Sequence, residues 1–306
     1  MAQYRTIKKF YYVPEATYGT TPTSALTWGC EIDSFKPTVD WQTEMIRTSG
    51  RDVTDFLDQA AKVAMTLRGR ARAVSGAYDW TKLFAVYGMG ATSGLADTLG
   101  SFTCQTCKVQ GASTFYNFYN GCKINKLQIS ADGPGKDIIF TADILAQYVA
   151  ASTTKAITGL QALTVGADPA DITTPLLTWS GISQINVAGG GLANWHPRRW
   201  TFAIDNHLEP WPQNKTGADT NNYAVEAGQL PESDRDITLE VELPHEAETY
   251  LNANIAKSAI TAITLPIGNK TLTLSNGRLI GGDSPELKQS LLSETLRFQF
   301  KTLSIA

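Results

Sequence analysis

Charge is scarce in this sequence. Asp, Glu, Lys and Arg make up 18% of the 306 residues, and 26 cations against 29 anions leave a net charge of −3. A domain whose main task is gripping nucleic acid usually carries a basic excess, so that class is set aside. Cysteine is scarcer still: Cys30, Cys104, Cys107 and Cys122 are too few for a disulfide scaffold. Long hydrophobic runs are missing. Phe10–Val13 is well short of the roughly 7–15 apolar residues of a signal peptide, and nothing approaches the roughly 18 of a membrane helix. The expectation is a chain made and kept in a cytoplasm. What the sequence does have is apolar content, at 42%. That is too much for a disordered chain and enough for two domains or one large β domain.

Alternation dominates. Trp200, Phe202 and Ile204 alternate with Thr201, Ala203 and Asp205; Asp236–Leu243 and Leu296–Lys301 alternate as cleanly. Period two means one buried and one wet face, which suits antiparallel sheet. Two stretches depart from it. Trp80, Leu83, Phe84 and Tyr87 fall at helical spacing with Gly88 as the expected stop, and His245–Ala256 follows Pro244 with a similar stripe. The expected order is strand (29–41), long loop (42–60), strand (62–72), helix (78–88), then a strand pair (122–132, 137–149). It recurs as strand (199–209), loop (210–234), strand (236–243), helix (245–256), then strands over 262–280 and 290–305. A period near 150 residues reads as a duplicated domain. The expected fold is therefore mainly β. It comprises two tandem β-sandwich or half-barrel domains, 1–152 (with an N-terminal arm) and 153–306, each with one flanking α-helix and a long loop. Loops beyond about 12–15 residues are usually functional, which nominates Arg51, Asp55, Asp58, Lys215, Asp219 and Glu226 as reaching toward a neighbour.

Chemistry-bearing motifs are absent or incomplete. Cys104-x-x-Cys107 with Cys122 lacks the fourth ligand of a zinc site and any nearby histidine, so buried small cysteines are expected. His196, His207 and His245 are isolated, and His245-Glu246 lacks the second histidine of a zincin helix. Gly88-Met-Gly90-Ala-Thr-Ser-Gly94 follows a helix where a dinucleotide fingerprint follows a strand. Gly133-Pro-Gly-Lys136 reads as a hairpin turn. No Gly-x-Ser-x-Gly elbow or carboxylate dyad stands out. The expectation is no enzyme, no metal and no cofactor.

Two strand faces contrast. Lys62, Arg68, Arg70 and Arg72 mark one, and Asp236, Glu240 and Glu242 mark its second-half counterpart. They are ordinary solvated faces or a charge-matched interface. At the N-terminus Arg5, Lys8 and Lys9 interleave with Tyr4, Phe10, Tyr11 and Tyr12. Such a pattern can stack single-stranded nucleic acid, but an arm docking on an adjacent subunit is the preferred reading. The seven tryptophans are spread along the chain and read as core aromatics.

Three stretches resemble the major tail tube proteins of long, flexible-tailed (siphovirus-like) bacteriophages: Val13–Pro22, Tyr119–Ser130, and Trp200–Leu208 with the elements after it. The resemblance implies a structural virion protein whose subunits form rings, trimeric in relatives with two such domains, that stack into a hollow tube delivering viral DNA. It implies self-association, contacts with a tape measure protein, a tail terminator and a distal tail protein, DNA passing without specific binding, no membrane, and assembly in the host bacterial cytoplasm. For such a conduit a net negative lumen is expected, with Asp236, Glu240 and Glu242 as its wall unless they lie at the interface. The alternatives are a distal tail or baseplate hub protein on the same fold, or a carbohydrate-binding β-sandwich.

Overall fold

A computed structural model describes residues 5–6, 9–23, 27–40, 43–46, 55–58, 62–74, 80–110, 113–152, 175–179, 185–189, 195–214, 225–244, 257–283 and 293–306. The strands are β1 (Arg5–Thr6), β2 (Lys9–Pro14), β3 (Thr27–Asp40), β4 (Thr43–Ile46), β5 (Asp55–Asp58), β6 (Lys62–Arg70), β7 (Phe102–Gln110), β8 (Ser113–Ala131), β9 (Ile138–Ala146), β10 (Tyr148–Ser152), β11 (Asn186–Gly189), β12 (Arg199–Asp205), β13 (Trp211–Asn214), β14 (Val225–Gln229), β15 (Asp236–Pro244), β16 (Ala259–Ile267), β17 (Lys270–Asp283) and β18 (Ser293–Ile305). The fold is mainly β. A 14-stranded antiparallel sheet runs β1-β7-β2-β3-β6-β9-β8-β12-β15-β18-β17-β16-β11, with β10 also on β8.

The long strands explain how this sheet becomes layered. β3 gives Thr27–Glu31 to β2 and Ile32–Asp40 to β6. β8 gives Ser113–Cys122 to β7 and Lys123–Ala131 to β9. Bulges at the changeovers turn the strand from one layer to the other. β2 also pairs with β7, so β2, β3, β6, β9, β8 and β7 close on themselves. In the second half β11 pairs with β16, and the Ile185–Trp195 bridge ties the β11 side to the lead-in of β12. Alternation does the rest. Val63, Met65, Leu67, Phe140, Ala142, Ile144, Phe202, Ile204, Leu239, Val241 and Phe298 all point inward and are buried.

The same strand order and registers occur twice. β3-β6-β9-β8 and β12-β15-β18-β17 follow the same route. Asp40 opposite Lys62 matches Asp205 opposite Asp236; Met65 opposite Ile144 matches Leu239 opposite Phe298; Ile124 opposite Ile144 matches Leu279 opposite Phe298. The bulge of β8, at Asn125, falls where β17 has its own, at Ile280.

Several expectations change. Neither long loop is irregular throughout: each contains a two-stranded ribbon, β4–β5 and β13–β14, in which Ile46 opposite Asp55 matches Trp211 opposite Gln229. The N-terminal segment is no free arm, because β2 is inserted between β3 and β7 with Phe10, Tyr12 and Val13 buried. The helix begins as one α turn, Trp80–Lys82, and continues as a π-helix over Leu83–Met89. Its stop is Gly90, at φ 93°, rather than Gly88. Gly88 is closely packed instead: a Cβ there would sit 3.0 Å from Leu127 Cδ2, which would have to give way. The stretch before Tyr119 contains an unexpected strand, β7. The expected helix over 245–256 lies outside the described residues.

Candidate functional site

The joint where the halves meet is the most elaborated polar region of the described chain. β8 past its bulge pairs with β12 from Lys126 opposite Asp205 to Ala131 opposite Trp200, so one sheet continues from the first half into the second. Pairing leaves the bulge residue out of the ladder, and Asn125 is used instead as a dock. Its backbone C=O accepts the Asn206 N–H (2.7 Å) and its side-chain Oδ1 accepts the Leu208 N–H (2.7 Å).

Asn206, 1% exposed, ties three elements together. Its Nδ2 donates to Ile124 O (3.0 Å) and to Gly88 O of the π-helix (3.2 Å), and its Oδ1 accepts from Arg235 Nε (2.9 Å). Arg235 also donates to Ala96 O at 2.7 Å. Beside them Lys123 Nζ meets Glu232 Oε1 at 2.8 Å, with side-chain exposures of only 13% and 17%, and donates to Leu230 O. Burial works against the charged form of Glu232. Hydrogen bonds from Lys123 and from the Leu99 N–H outweigh it and hold its pKa below the ordinary carboxylate value. Lys126 and Asp205 add a looser pair at 3.8 Å. Both ion pairs of the joint thus run from a base on β8 to an acid on β12 or just before β15.

A second polar knot secures the first half. Glu15 accepts from the Gly121 N–H (2.8 Å), the Thr103 hydroxyl (2.6 Å) and the Gly19 N–H (2.9 Å). Asn120 Nδ2 donates to Gly19 O at 2.6 Å. Two of the three stretches that carry the sequence resemblance, Val13–Pro22 and Tyr119–Ser130, are therefore in direct contact. Gly121 allows this with φ 60°, and a Cβ there would lie 2.6 Å from Gln147 Cβ.

The charged residues singled out in the sequence lie on the wet face of the large sheet or next to it, except that Glu242, expected to be wet, is buried at 8% exposure where it pairs with Arg198 and Arg199. β6 and β15 are each paired along both edges, so Lys62, Arg68, Arg70, Asp236, Glu240 and Glu242 occupy a face rather than an edge. Three strands separate β6 from β15, about 19 Å at the usual strand spacing, so the two sets do not meet within the chain. Each acid has a local partner: Glu240 with Arg297 (3.1 Å), Glu242 with Arg199 and Arg198, and Asp236 with His207 (3.0 Å) and Gln299 (2.9 Å). The hydrogen bond to Asp236 first, and the charge of Asp205 second, raise the His207 pKa above its ordinary value. Arg70 reaches Asp33 and Asp137 at 3.2 and 3.3 Å, while Arg72 bridges Leu176 through the backbone. Of the loop candidates, Asp55 and Asp58 are on β5 and Glu226 is on β14. Arg51, Lys215 and Asp219 lie outside the described residues.

No group of three or more His, Cys, Asp or Glu side chains could hold a metal among the described residues. Cys104 and Cys122 are buried with sulfurs 3.9 Å apart, and burial pushes the Cys122 thiol up, away from a reactive thiolate. Burial likewise raises the Tyr119 phenol to about 12. Trp195 and Trp200 are core residues rather than a sugar platform. No described helix is long and apolar enough to cross a membrane. Sequence reasoning missed the joint residues Lys123, Asn125, Asn206, Glu232 and Arg235. One local signal was available: Ile124 and Leu127 are three apart in an otherwise alternating run, the mark of a bulge.

None of the curated proteins compared matches the chain. A family model described as phage tail tube protein matches residues 7–299. That span takes in both halves, the joint between them and all three resembling stretches, and the chain therefore belongs to the phage tail tube protein family, a family of structural virion components.

Proposed function

We propose that this chain is the building block of the tail tube itself. Copies close into rings, the rings stack, and the hollow interior conducts phage DNA. The observation that carries the reading is a sheet that already continues across a domain-sized boundary by edge pairing, β8 to β12, with buried side chains on one face and charged ones on the other. Repeating that step around a circle yields a wall with no open edge.

Within this reading the chain is two tandem domains, 1–152 and 153–306, and three chains make a ring of near-sixfold symmetry. The wet face, with Lys62, Arg68, Arg70, Asp236 and Glu240, lines the lumen, and the buried Glu242 holds Arg198 and Arg199 on it. That wall is mixed in sign rather than acidic, since its acids are paired by Arg199, Arg297 and His207. Arg199, Arg297 and His207 are engaged by these acids and so offer DNA phosphates little free positive charge with which to release counterions. The β4–β5 and β13–β14 ribbons, with Asp55 and Glu226, bridge successive rings. The tape measure protein, tail terminator and distal tail protein cap or fill the tube, assembly takes place in the host bacterial cytoplasm, and the chain catalyses nothing.

Negative-stain electron microscopy of the purified protein at high concentration tests this. Hollow tubes or stacked rings are expected. A monodisperse monomer at every concentration would overturn it.

A further inference from the structure

The repeat leaves one joint made and one unmade. β8 past its bulge is covered by β12, but the equivalent stretch of β17 is not covered: β16 pairs with Lys270–Arg278 only, and no described strand pairs with Leu279–Asp283 on that side. The counterpart of β12 is Ile32–Asp40 of β3. There β6 takes one edge, and β2 reaches the other only as far as Glu31. Pro37 stands in this stretch, as proline is tolerated on an edge strand.

We propose that Gly281–Asp283 of one copy pairs antiparallel with Thr38–Asp40 of a second copy in the register of β8 with β12, and that Arg278 is held across this seam by Asp58 of that second copy. This rests on the self-assembly reading above and adds to it the edge, the register and the ion pair.

Superposing the registers assigns the residues. Asp205 opposite Lys126 becomes Asp40 opposite Gly281, and Ile204 opposite Leu127 becomes Val39 opposite Gly282. Lys123, opposite Leu145, corresponds to Arg278, opposite Gln299. Glu232 corresponds to Asp58, because each stands four residues before the first residue of its strand, Asp236 or Lys62. The ribbons agree independently: Glu44 opposite Leu57 matches the Glu209 N–H to Pro231 C=O bond. The basic-to-acidic sense of the half-buried Lys123–Glu232 pair is thus written again at Arg278 and Asp58, in halves that share little sequence. Two further observations mark the seam. Arg278 is exposed and makes no ion pair among the described residues. Ile280, at the bulge where Asn125 docks the second half, is 56% exposed and is one of three exposed large hydrophobics among the described residues.

The test combines charge reversal with cross-linking in the full chain. Arg278→Asp and Asp58→Arg should each raise the concentration needed for assembly by about tenfold or more, as like charges are brought together. The double variant should return it to within about threefold of the parent. Tryptophan fluorescence should show all three folded. In parallel, an Asp40→Cys, Gly281→Cys chain should form disulfide-linked oligomers under mild oxidation. The Gly281 position has open space for a side chain. Asp40→Cys with Asp283→Cys, out of register, should not. If the parent assembles but the in-register pair fails to cross-link, or the double reversal assembles no better than either single one, the seam is wrong while the tube reading stands. A parent chain that never assembles overturns both.

Discussion

Replacing Asn206 by alanine should destabilise the protein more than any other single polar truncation at the joint. The side chain is almost fully buried and makes three hydrogen bonds, to Gly88 O, Ile124 O and Arg235 Nε. Alanine leaves all three groups without this partner. An unsatisfied buried group costs about 1–3 kcal/mol, with charged donors at the upper end and carbonyls, which have a second lone pair, at the lower. The expected loss is about 3–5 kcal/mol, a large part of the roughly 5–15 kcal/mol that holds a domain together. Urea unfolding followed by tryptophan fluorescence reads it directly, since Trp195 and Trp200 are buried in the second half. Asn206→Asp separates hydrogen bonding from packing. It keeps the acceptor for Arg235 but turns the donor into a second acceptor facing two carbonyls, so it should not rescue. Hydrogen exchange should accelerate first at the β8–β12 amides. A loss below about 1 kcal/mol for Asn206→Ala would refute the claim that this residue clamps the halves.

Further outcomes follow from the same network and from the Glu15 knot. Lys123→Met and Glu232→Gln, with the double variant, should give a coupling energy of about 1–3 kcal/mol, because the pair is shielded from water. Since the folded pKa of Glu232 is depressed, its contribution is complete above the unfolded carboxylate pKa and is lost as pH falls through the folded value. Glu232→Gln should flatten that acid limb in stability measured against pH. Glu15→Gln preserves shape but turns one acceptor oxygen into a donor, and should cost about 1–3 kcal/mol in chemical denaturation. Gly121→Ala should cost about 1–2 kcal/mol from its left-handed backbone alone, and more from the clash with Gln147, seen as a lowered melting temperature. His207 should titrate above its ordinary pKa by NMR and return toward it in Asp236→Asn. Its contribution to stability is full below the unfolded pKa and disappears as pH rises through the folded one.

The outward signs of the fold were readable wherever one face of a strand is wet. β6, β12, β15 and β18 alternate because water covers one side, and the Gly133–Lys136 turn stands out by its residues; its Lys136 N–H to Gly133 O bond closes the hairpin at 3.2 Å. β7 was unreadable for the opposite reason. Phe102, Thr103, Cys104 and Gln105 are all buried, so both faces are covered and the period vanishes. The ribbon strands β4 and β13 are only four residues each, and Trp211-Pro-Gln-Asn carries a proline. The helix stripe was legible but its end was not, because Gly88 lies within the helix, packed against Leu127, and the left-handed stop is Gly90. The charged face was found, but the joint was not. Lys123 and Glu232 are 109 residues apart, and no local pattern reveals which two strand edges will meet.

The β8–β12 joint lies within a single polypeptide, so it is untouched by dilution. Its partners share one tether, and their effective concentration is set by chain length, in the millimolar range for short flexible connections, rather than by how much protein the cell has made. A continuous wall built from such chains need form only alternate joints by collision, and each arriving subunit brings the intervening joint already locked in register.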